Sequence, residues 1–180
     1  MESNNKQYIW LIDPVHTRIR FEATYLMISK ISGWFRKIEG KVITEDENFN
    51  SSRLKITLYS NSVFTGNEDR DNHLKSADFL DAANFPSISF VSEEINNQGN
   101  KINIKGLLLI KQEKLPIEFS AFFTGTSLDE LGNKKAGFSS EFTLDRNLLK
   151  LNWNKNFGDN NPLISSHIKL HCEVQLLQIQ

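Results

Sequence analysis

The stretch His167–Leu176, HIKLHCEVQL, decides the fold class of this chain. Every second residue from Ile168 to Leu176 is apolar, whereas the residues between them are charged, amide-bearing or histidine. This period of two is typical of a β-strand with one face toward an apolar interior and the other toward solvent. The segment therefore predicts a half-buried strand.

Similar patterns recur toward the N terminus and predict seven further strands. Turn-forming clusters such as Asn96–Asn100 and Asp129–Asn133 separate neighbouring strands by hairpin-length connections, which favours antiparallel pairing. No long helical period and no βαβ rhythm appears, so the predicted class is all-β. The seven segments are Thr17–Tyr25 (preceded by Trp10–Ile12), Gly33–Ile43, Leu54–Leu58, the one that begins at Ile88–Phe90, Ile102–Ile110, Ile117–Phe123 and Phe138–Leu144.

Eight antiparallel strands can form a sandwich or a closed barrel. Strands of roughly ten residues joined in sequence favour an up-and-down barrel, because closure removes their exposed edges. The interior of such a barrel is either filled by side chains or open to one slender ligand, and the pattern leaves both open. We predict a single domain over residues 1–180, with a core from about 8 to 178.

Composition narrows the function. The chain has 13 Phe against three Trp and three Tyr, which suits an apolar core or cavity. The net charge is −1 and the basic residues are scattered, which argues against a nucleic-acid surface. No apolar run approaches the ~20 residues of a membrane-spanning helix. The start lacks the pattern of a signal peptide, so we expect a cytoplasmic protein, or a periplasmic one if a leader was removed.

The exception to the strand pattern is Ser60–Phe90. Alternating charges at Glu68–Asp71 lead into a histidine and a leucine, and Pro86 returns the chain to an extended conformation. We predict a helical insertion at about residues 66–84, in which Ser76 caps a second short helical turn. In this interpretation the charges on either side of Arg70, at positions 69 and 71, are its ion-pair partners.

Candidate chemistry is sparse. His73 lies four residues after Asp69, and with Asp69 or Asp71 it could contribute to a metal site. His167 and His171 share a strand face but lie roughly 13 Å apart, too far to bind one ion. The sequence contains no HExxH, GxSxG or glycine-rich phosphate loop. A small metal-assisted barrel enzyme therefore stays an alternative.

The block Thr65–Asp81, TGNEDRDNHLKSADFLD, followed by Asn84–Phe90, NFPSISF, closely resembles the signature of the YceI-like polyisoprenoid-binding family. The resemblance covers about residues 8–178. Its other segments follow in chain order: Trp10–His16, Gly33–Phe35, Glu39–Gly40, Gly106–Ile110, Ala136–Phe138, Asp145–Arg146 and Trp153. The chain departs from the family pattern at Tyr25 (for histidine), at Leu108 and Gln112 (for threonine and glycine) and at Lys150 (for glycine).

The resemblance implies a lipocalin-like barrel around an elongated isoprenoid or related amphiphile, such as a polyprenol or the tail of a quinone. It implies sequestration or transport without catalysis, no cofactor other than the bound lipid, and a homodimer. The other alternative is a stress-response interaction module with a solid core. The predicted apolar lining comprises Phe21, Ala23, Phe90, Ile104, Leu108, Phe119, Phe123, Phe138, Phe142 and Leu170. The predicted motif residues are His16, Arg70, Asp71, His73, Leu74, Phe79, Phe85, Pro86, Arg146 and Trp153.

Two segments are expected to cover the barrel. The helical insertion is predicted to act as a plug or lid, with Leu74, Phe79 and Phe85 packed onto the barrel. The connection 151–165, with Trp153 and Phe157, is long for an ordered loop and is expected to cover one mouth.

Overall fold

The computed structural model describes residues 7–46, 48–154 and 162–179. Within these residues the chain forms eleven strands, one α-helix and two 3₁₀ turns, Ser60–Ser62 and Arg146–Leu149. Every strand pairing in this part of the chain is antiparallel. The elements are β1 (Tyr8–Ile12), β2 (Arg18–Tyr25), β3 (Ser29–Phe35), β4 (Ile38–Thr44), β5 (Arg53–Tyr59), β6 (Val63–Phe64), α1 (Glu68–Lys75), β7 (Ser87–Gln98), β8 (Lys101–Ile110), β9 (Glu113–Leu128), β10 (Lys134–Asp145) and β11 (Ile164–Gln178).

The strands close into an eight-walled barrel. The ring runs β1-β4-β5-β7-β8-β9-β10-β11 and returns to β1. One end of β11 pairs with β1 and the rest pairs with β2, which continues through β3 to β6. In each of the pairs β1/β2, β3/β4 and β5/β6, the two strands therefore follow one another along the same side of the barrel and together occupy one of its eight strand positions. The predicted all-β, eight-stranded antiparallel barrel is confirmed.

The segment Gly33–Ile43, predicted as one strand, is divided between β3 and β4. At the break, the backbone N–H of Arg36 donates to the Ser62 carbonyl at 2.9 Å and that of Lys37 donates to Ser62 Oγ at 3.0 Å. The chain leaves the regular ladder here because its backbone bonds to a 3₁₀ turn instead of to a strand.

The helical insertion contains a single helix, α1. Its N-cap is Asn67, whose side chain accepts a hydrogen bond from the Arg70 backbone at 2.9 Å. Ser76 ends this helix and donates its Oγ to the His73 carbonyl at 2.7 Å. It also opens a second short turn, as predicted, because its Oγ accepts from the Asp78 N–H at 3.4 Å and its carbonyl accepts from the N–H groups of Phe79 and Asp81. This second turn is not helical, and the prediction is wrong on that point.

The two ends of the barrel differ. At the end where β1 begins and β11 finishes, Trp10, Phe49 and Leu176 are 1%, 4% and 2% exposed and fill the interior. The opposite end carries α1, the 3₁₀ turn Arg146–Leu149 and the turn between β2 and β3. We call this second end the mouth.

Candidate functional site: an apolar cavity with a polar mouth

A cavity of about 570 Å³ runs through the barrel interior. Side chains from all eight walls line it, and nearly all of them are aliphatic or aromatic. The volume lies within the ~300–1,000 Å³ typical of small-molecule sites. The interior is therefore hollow, and it can hold an apolar molecule.

Nine of the ten predicted lining residues lie on the cavity wall: Phe21, Ala23, Phe90, Ile104, Leu108, Phe119, Phe138, Phe142 and Leu170. The exception is Phe123, which packs 6.1 Å from Phe49 and 5.4 Å from Phe138, measured between ring centroids. A register shift between β9 and β10 beside Phe138 interrupts the alternation at this point. That these side chains contact a ligand stays a prediction.

Phe49 closes the end opposite the mouth, a role that the sequence did not reveal. It has a left-handed φ of 59°, and Ser52 Oγ donates to its carbonyl at 2.8 Å. Its ring lies 5.2 Å from Trp10 and 5.0 Å from Phe138. The sequence around Phe49 is otherwise polar and is typical of an exposed loop. Its one aromatic residue was the only indication that part of it is buried.

At the mouth, α1 is fixed through Thr65. Arg70 donates Nε to Thr65 Oγ1 at 2.8 Å and Nη2 to the Thr65 carbonyl at 3.0 Å. The buried carboxylate of Asp71 accepts from Thr65 Oγ1 at 2.6 Å and from its N–H at 2.8 Å. The prediction that Asp69 and Asp71 hold Arg70 is wrong, because Arg70 and Asp71 both bind Thr65.

This attachment requires Gly33 on the neighbouring strand. A Cβ there would lie 2.7 Å from both Thr65 Cγ2 and the Phe64 carbonyl oxygen. Any larger residue would displace the segment that leads into α1. With the helix in place, Asp69, Arg70 and His73 form a polar rim on the otherwise apolar cavity.

His73, Phe79 and Trp153 form a cluster of rings that we call the aromatic clasp. The ring centroid of His73 lies 5.1 Å from that of Phe79 and 4.4 Å from that of Trp153, and the latter two rings are 5.3 Å apart. His73 Nε2 contacts Asp78 Oδ2 at 2.9 Å, so this nitrogen already has a partner other than a metal ion. In the described ranges, no group of three or more potential metal ligands converges.

Arg146 ties the Trp153 segment to the barrel. Its side chain is 4% exposed and lies on the cavity wall. Burial lowers the pKa of this guanidinium, against the opposing effect of Asp145. Its donors bind four backbone carbonyls, those of Leu151, Trp153 (3.0 Å), Ile164 (3.4 Å) and Ser165 (3.0 Å).

Three other predicted residues of the helical insertion have different roles. Leu74 lines the cavity, whereas Phe85 is half-buried and Pro86 is exposed, and neither is on the cavity wall. Ser60 Oγ donates to the Phe85 carbonyl at 2.8 Å and Ser60 N–H donates to the Pro86 carbonyl at 2.9 Å. Phe85 therefore attaches the segment through its backbone. Phe157 lies outside the described residues.

His16 lies on the outside of the barrel, in the turn between β1 and β2. Its Nδ1 contacts Asp13 Oδ2 at 3.0 Å, and Lys135 Nζ and Gln175 Nε2 donate to the same oxygen at 3.0 Å. Burial raises the pKa of Asp13, but hydrogen bonds from the side chains of His16 and Lys135 outweigh it and hold that pKa well below its usual range. His16 thus belongs to a structural polar cluster around Asp13.

Cys172 faces the cavity from β11. Burial raises the pKa of its thiol to about 12. The group is therefore neutral at physiological pH and a poor nucleophile.

Within the described residues, the one α-helix is too short and too polar to cross a bilayer.

The closed barrel, its apolar cavity and the helix at its mouth define a lipocalin-like barrel. The YceI-like domain family model matches residues 10–176, and the chain belongs to this family. It is 32% identical to Protein YceI of Salmonella newport over 126 residues, 70% of this chain and 66% of the relative, so that the match spans just under two thirds of the relative's length.

Solved structures share the fold. A Campylobacter jejuni YceI protein superimposes with a TM-score of 0.75 at 25% identity, covering 87% of this chain and 90% of that one. A polyisoprenoid binding domain from Saccharophagus degradans, described as implicated in plant cell wall breakdown, gives a TM-score of 0.70 at 9% identity, covering 93% and 97%. At that identity the second comparison shows the fold alone.

Proposed function

We propose that this protein binds a long apolar lipid of the isoprenoid type, such as a polyprenol or a quinone tail, inside the barrel and releases it chemically unchanged. The observation that carries the proposal is the 570 Å³ cavity with its apolar wall. Family membership and the polyisoprenoid binding domain among its structural neighbours support it.

The apolar wall favours long chains. Burying one methylene contributes about 0.8 kcal/mol, whereas association and ordering cost on the order of 4–15 kcal/mol. A ligand of several isoprene units offsets that cost through burial alone, while a short one does not. Selection therefore acts on chain length and slenderness.

The polar rim and the apolar closed end together favour one orientation of the ligand in the cavity. Arg70 and Arg146 line the cavity at the mouth, while Phe49 closes the opposite end. We place the apolar tail against Phe49 and any polar end beside the two guanidinium groups, because a polar group left at the apolar end would lose its hydrogen bonds. We also propose that the protein forms a homodimer and lies in the cytoplasm, or in the periplasm if a leader was removed.

Native mass spectrometry of gently purified protein, followed by organic extraction, tests the proposal directly. We expect a bound lipid, and uptake of added polyprenol or quinone by the extracted protein. Protein that purifies empty and takes up neither compound would contradict it.

A paired substitution locates the binding site. Ala121→Phe places a ring into the cavity and should lower lipid uptake, because Ala121 is 6% exposed and lies on the cavity wall. Val91→Phe adds a ring on the outer face, where Val91 is 45% exposed, and should leave uptake unchanged. Equal uptake by the two variants, both folded by circular dichroism, would place the lipid elsewhere.

A further inference from the structure

The turn between β2 and β3 exposes three consecutive apolar side chains. Leu26, Met27 and Ile28 are 40%, 63% and 84% exposed. Single exposed apolar residues are ordinary, whereas a projecting apolar tip is a feature of surfaces that meet a partner or a membrane. We call these three residues the apolar tip.

The backbone of the tip is unfavourable for the residues that it carries. Leu26 and Met27 have φ values of 52° and 60°, and Ile28 N–H donates to the Tyr25 carbonyl at 3.1 Å. Two successive positive φ angles are the pattern of a type I′ turn, which Asn-Gly ordinarily occupies because side chains beyond Cβ are strained there. Leucine and methionine thus stabilise neither the turn nor the barrel core.

The tip lies at the mouth of the cavity. Tyr25 immediately before it and Ile31 just after it both line the cavity. Leu26 N–H donates to the carbonyl of Leu163, another cavity residue, at 2.8 Å. A surface that receives the tip therefore lies next to the cavity mouth.

The tip itself carries no charge, and the charged residue that follows it on β3 is paired. Lys30 contacts Glu22 at 2.7 Å. The attraction of the tip itself to a surface consequently depends on its apolar side chains.

We propose that the apolar tip docks the mouth of the barrel onto the surface of a lipid bilayer. Three side chains on one turn are too few for a stable protein interface, which buries about 800 Å² per partner. Shallow insertion into the headgroup and acyl boundary has no such minimum area, because its strength scales with the apolar surface that is buried. Docking would bring the cavity mouth to the source or destination of a lipid.

Co-flotation with neutral phosphatidylcholine vesicles tests docking. Wild-type protein should float with the vesicles, and Ile28→Ser should lower the partition coefficient by about tenfold. Because phosphatidylcholine has no net charge and the apolar tip has none either, raising the salt concentration should have little effect. Leu131→Ser is the matched control, since Leu131 is 88% exposed on the β9–β10 turn at the opposite end of the barrel.

Met27→Gly separates docking from stability. Removing the side chain at a positive φ should raise the thermal unfolding temperature while weakening flotation, whereas a purely structural role would move both in the same direction. Wild-type protein that stays unbound overturns the proposal, as does equal loss of flotation in the Ile28 and Leu131 variants. A lipid-free sedimentation change caused by Ile28→Ser would overturn it in favour of self-association.

The docking proposal rests on the proposed function only for its biological role, which is to bring the cavity mouth to a bilayer. Vesicle flotation requires no molecule in the cavity, so an empty cavity and a failure to dock are separate results.

Discussion

The imidazole of His73 lies edge-on to the indole of Trp153, with ring centroids 4.4 Å apart and ring planes at 89°. His73 belongs to α1, and Trp153 belongs to the segment that follows the 3₁₀ turn Arg146–Leu149. This contact joins two segments that line the cavity at the mouth, so under the proposed function we expect lipid exchange to move at least one of them.

Trp153→Ala should open the mouth. It removes two ring contacts, each worth about 0.5–1.5 kcal/mol beyond the area that is buried. We therefore expect a free energy of unfolding lower by about 2 kcal/mol and faster loss of a fluorescent lipid from the cavity.

His73→Phe is the control for the aromatic clasp. It keeps a ring beside Trp153 but removes the hydrogen bond with Asp78, whose side chain is 54% exposed. Exposed pairs contribute about 0–1 kcal/mol, so this variant should stay close to wild type in stability and exchange rate. Rapid lipid loss from His73→Phe would show that the contact with Asp78, and not ring packing, keeps the lipid in the cavity.

Arg146→Lys should be strongly destabilising despite its unchanged charge. An ammonium cannot reach the four carbonyls that the planar guanidinium binds, and each buried acceptor left unpaired costs about 1–3 kcal/mol. We expect a loss of about 3 kcal/mol or more in urea unfolding. A loss below about 1 kcal/mol would mean that water replaces the guanidinium at these carbonyls.

Because of Asp13, the free energy of unfolding should decrease as the pH becomes acidic. Its folded-state pKa is held below its unfolded-state pKa, so its carboxylate stabilises the fold above the unfolded pKa. That contribution is lost as the pH falls below about 4. Asp13→Asn should lower stability at neutral pH and flatten its decline in acid.

The measurement is urea unfolding of wild type and Asp13→Asn from neutral to acid pH. Asp129 and Glu141 also have lowered pKa values, through hydrogen bonds from Asn133 and Lys169 respectively, so some acid dependence should persist in the variant. Parallel curves of stability against pH for the two proteins would show that Asp13 does not contribute to the acid dependence of stability.

Strand periodicity was enough to predict the strands, because every second residue of β8 from Ile102 to Ile110 is buried as the alternation predicts. The choice of a barrel over a sandwich rested on strand length and sequential connection. The partners of Arg70 were not predictable in this way. Its sequence neighbours are acidic, but the direction of its side chain depends on where Thr65 lies against Gly33. The burial of Phe49 likewise depends on closure of the barrel, which brings Trp10 and Phe138 to the same end.

Lys150→Gly should stabilise the protein. Lys150 has φ 51° and ψ 30° at the end of the 3₁₀ turn, a left-handed conformation that costs a non-glycine residue about 1–2 kcal/mol. The family resemblance places a glycine at this position. The substitution also removes the ion pair with Glu113, but that pair is worth at most about 1 kcal/mol because the Lys150 side chain is 71% exposed.

Lys150→Ala is the matched control, because it loses the ion pair and keeps the strain. We expect thermal unfolding temperatures in the order glycine, wild type, alanine, with glycine highest. If the glycine and alanine variants unfold at the same temperature, backbone strain at this position is negligible.

Cys172 should report on occupancy of the cavity. Because burial raises the thiol pKa to about 12, very little of this group is thiolate at mildly alkaline pH. Labelling by an uncharged maleimide should be correspondingly slow in the lipid-free protein. Added polyprenol should slow it further, because the thiol lies on the cavity wall.

Ser127→Cys supplies the internal control for this labelling. Ser127 is exposed on β9, at the end of the barrel opposite the mouth, so a cysteine there should react quickly and at a rate that lipid does not change. Mass spectrometry of peptides from one labelled sample gives both rates. Equal protection of the two positions by lipid would indicate binding over the outer surface, whereas protection confined to Cys172 requires the lipid to lie inside the barrel.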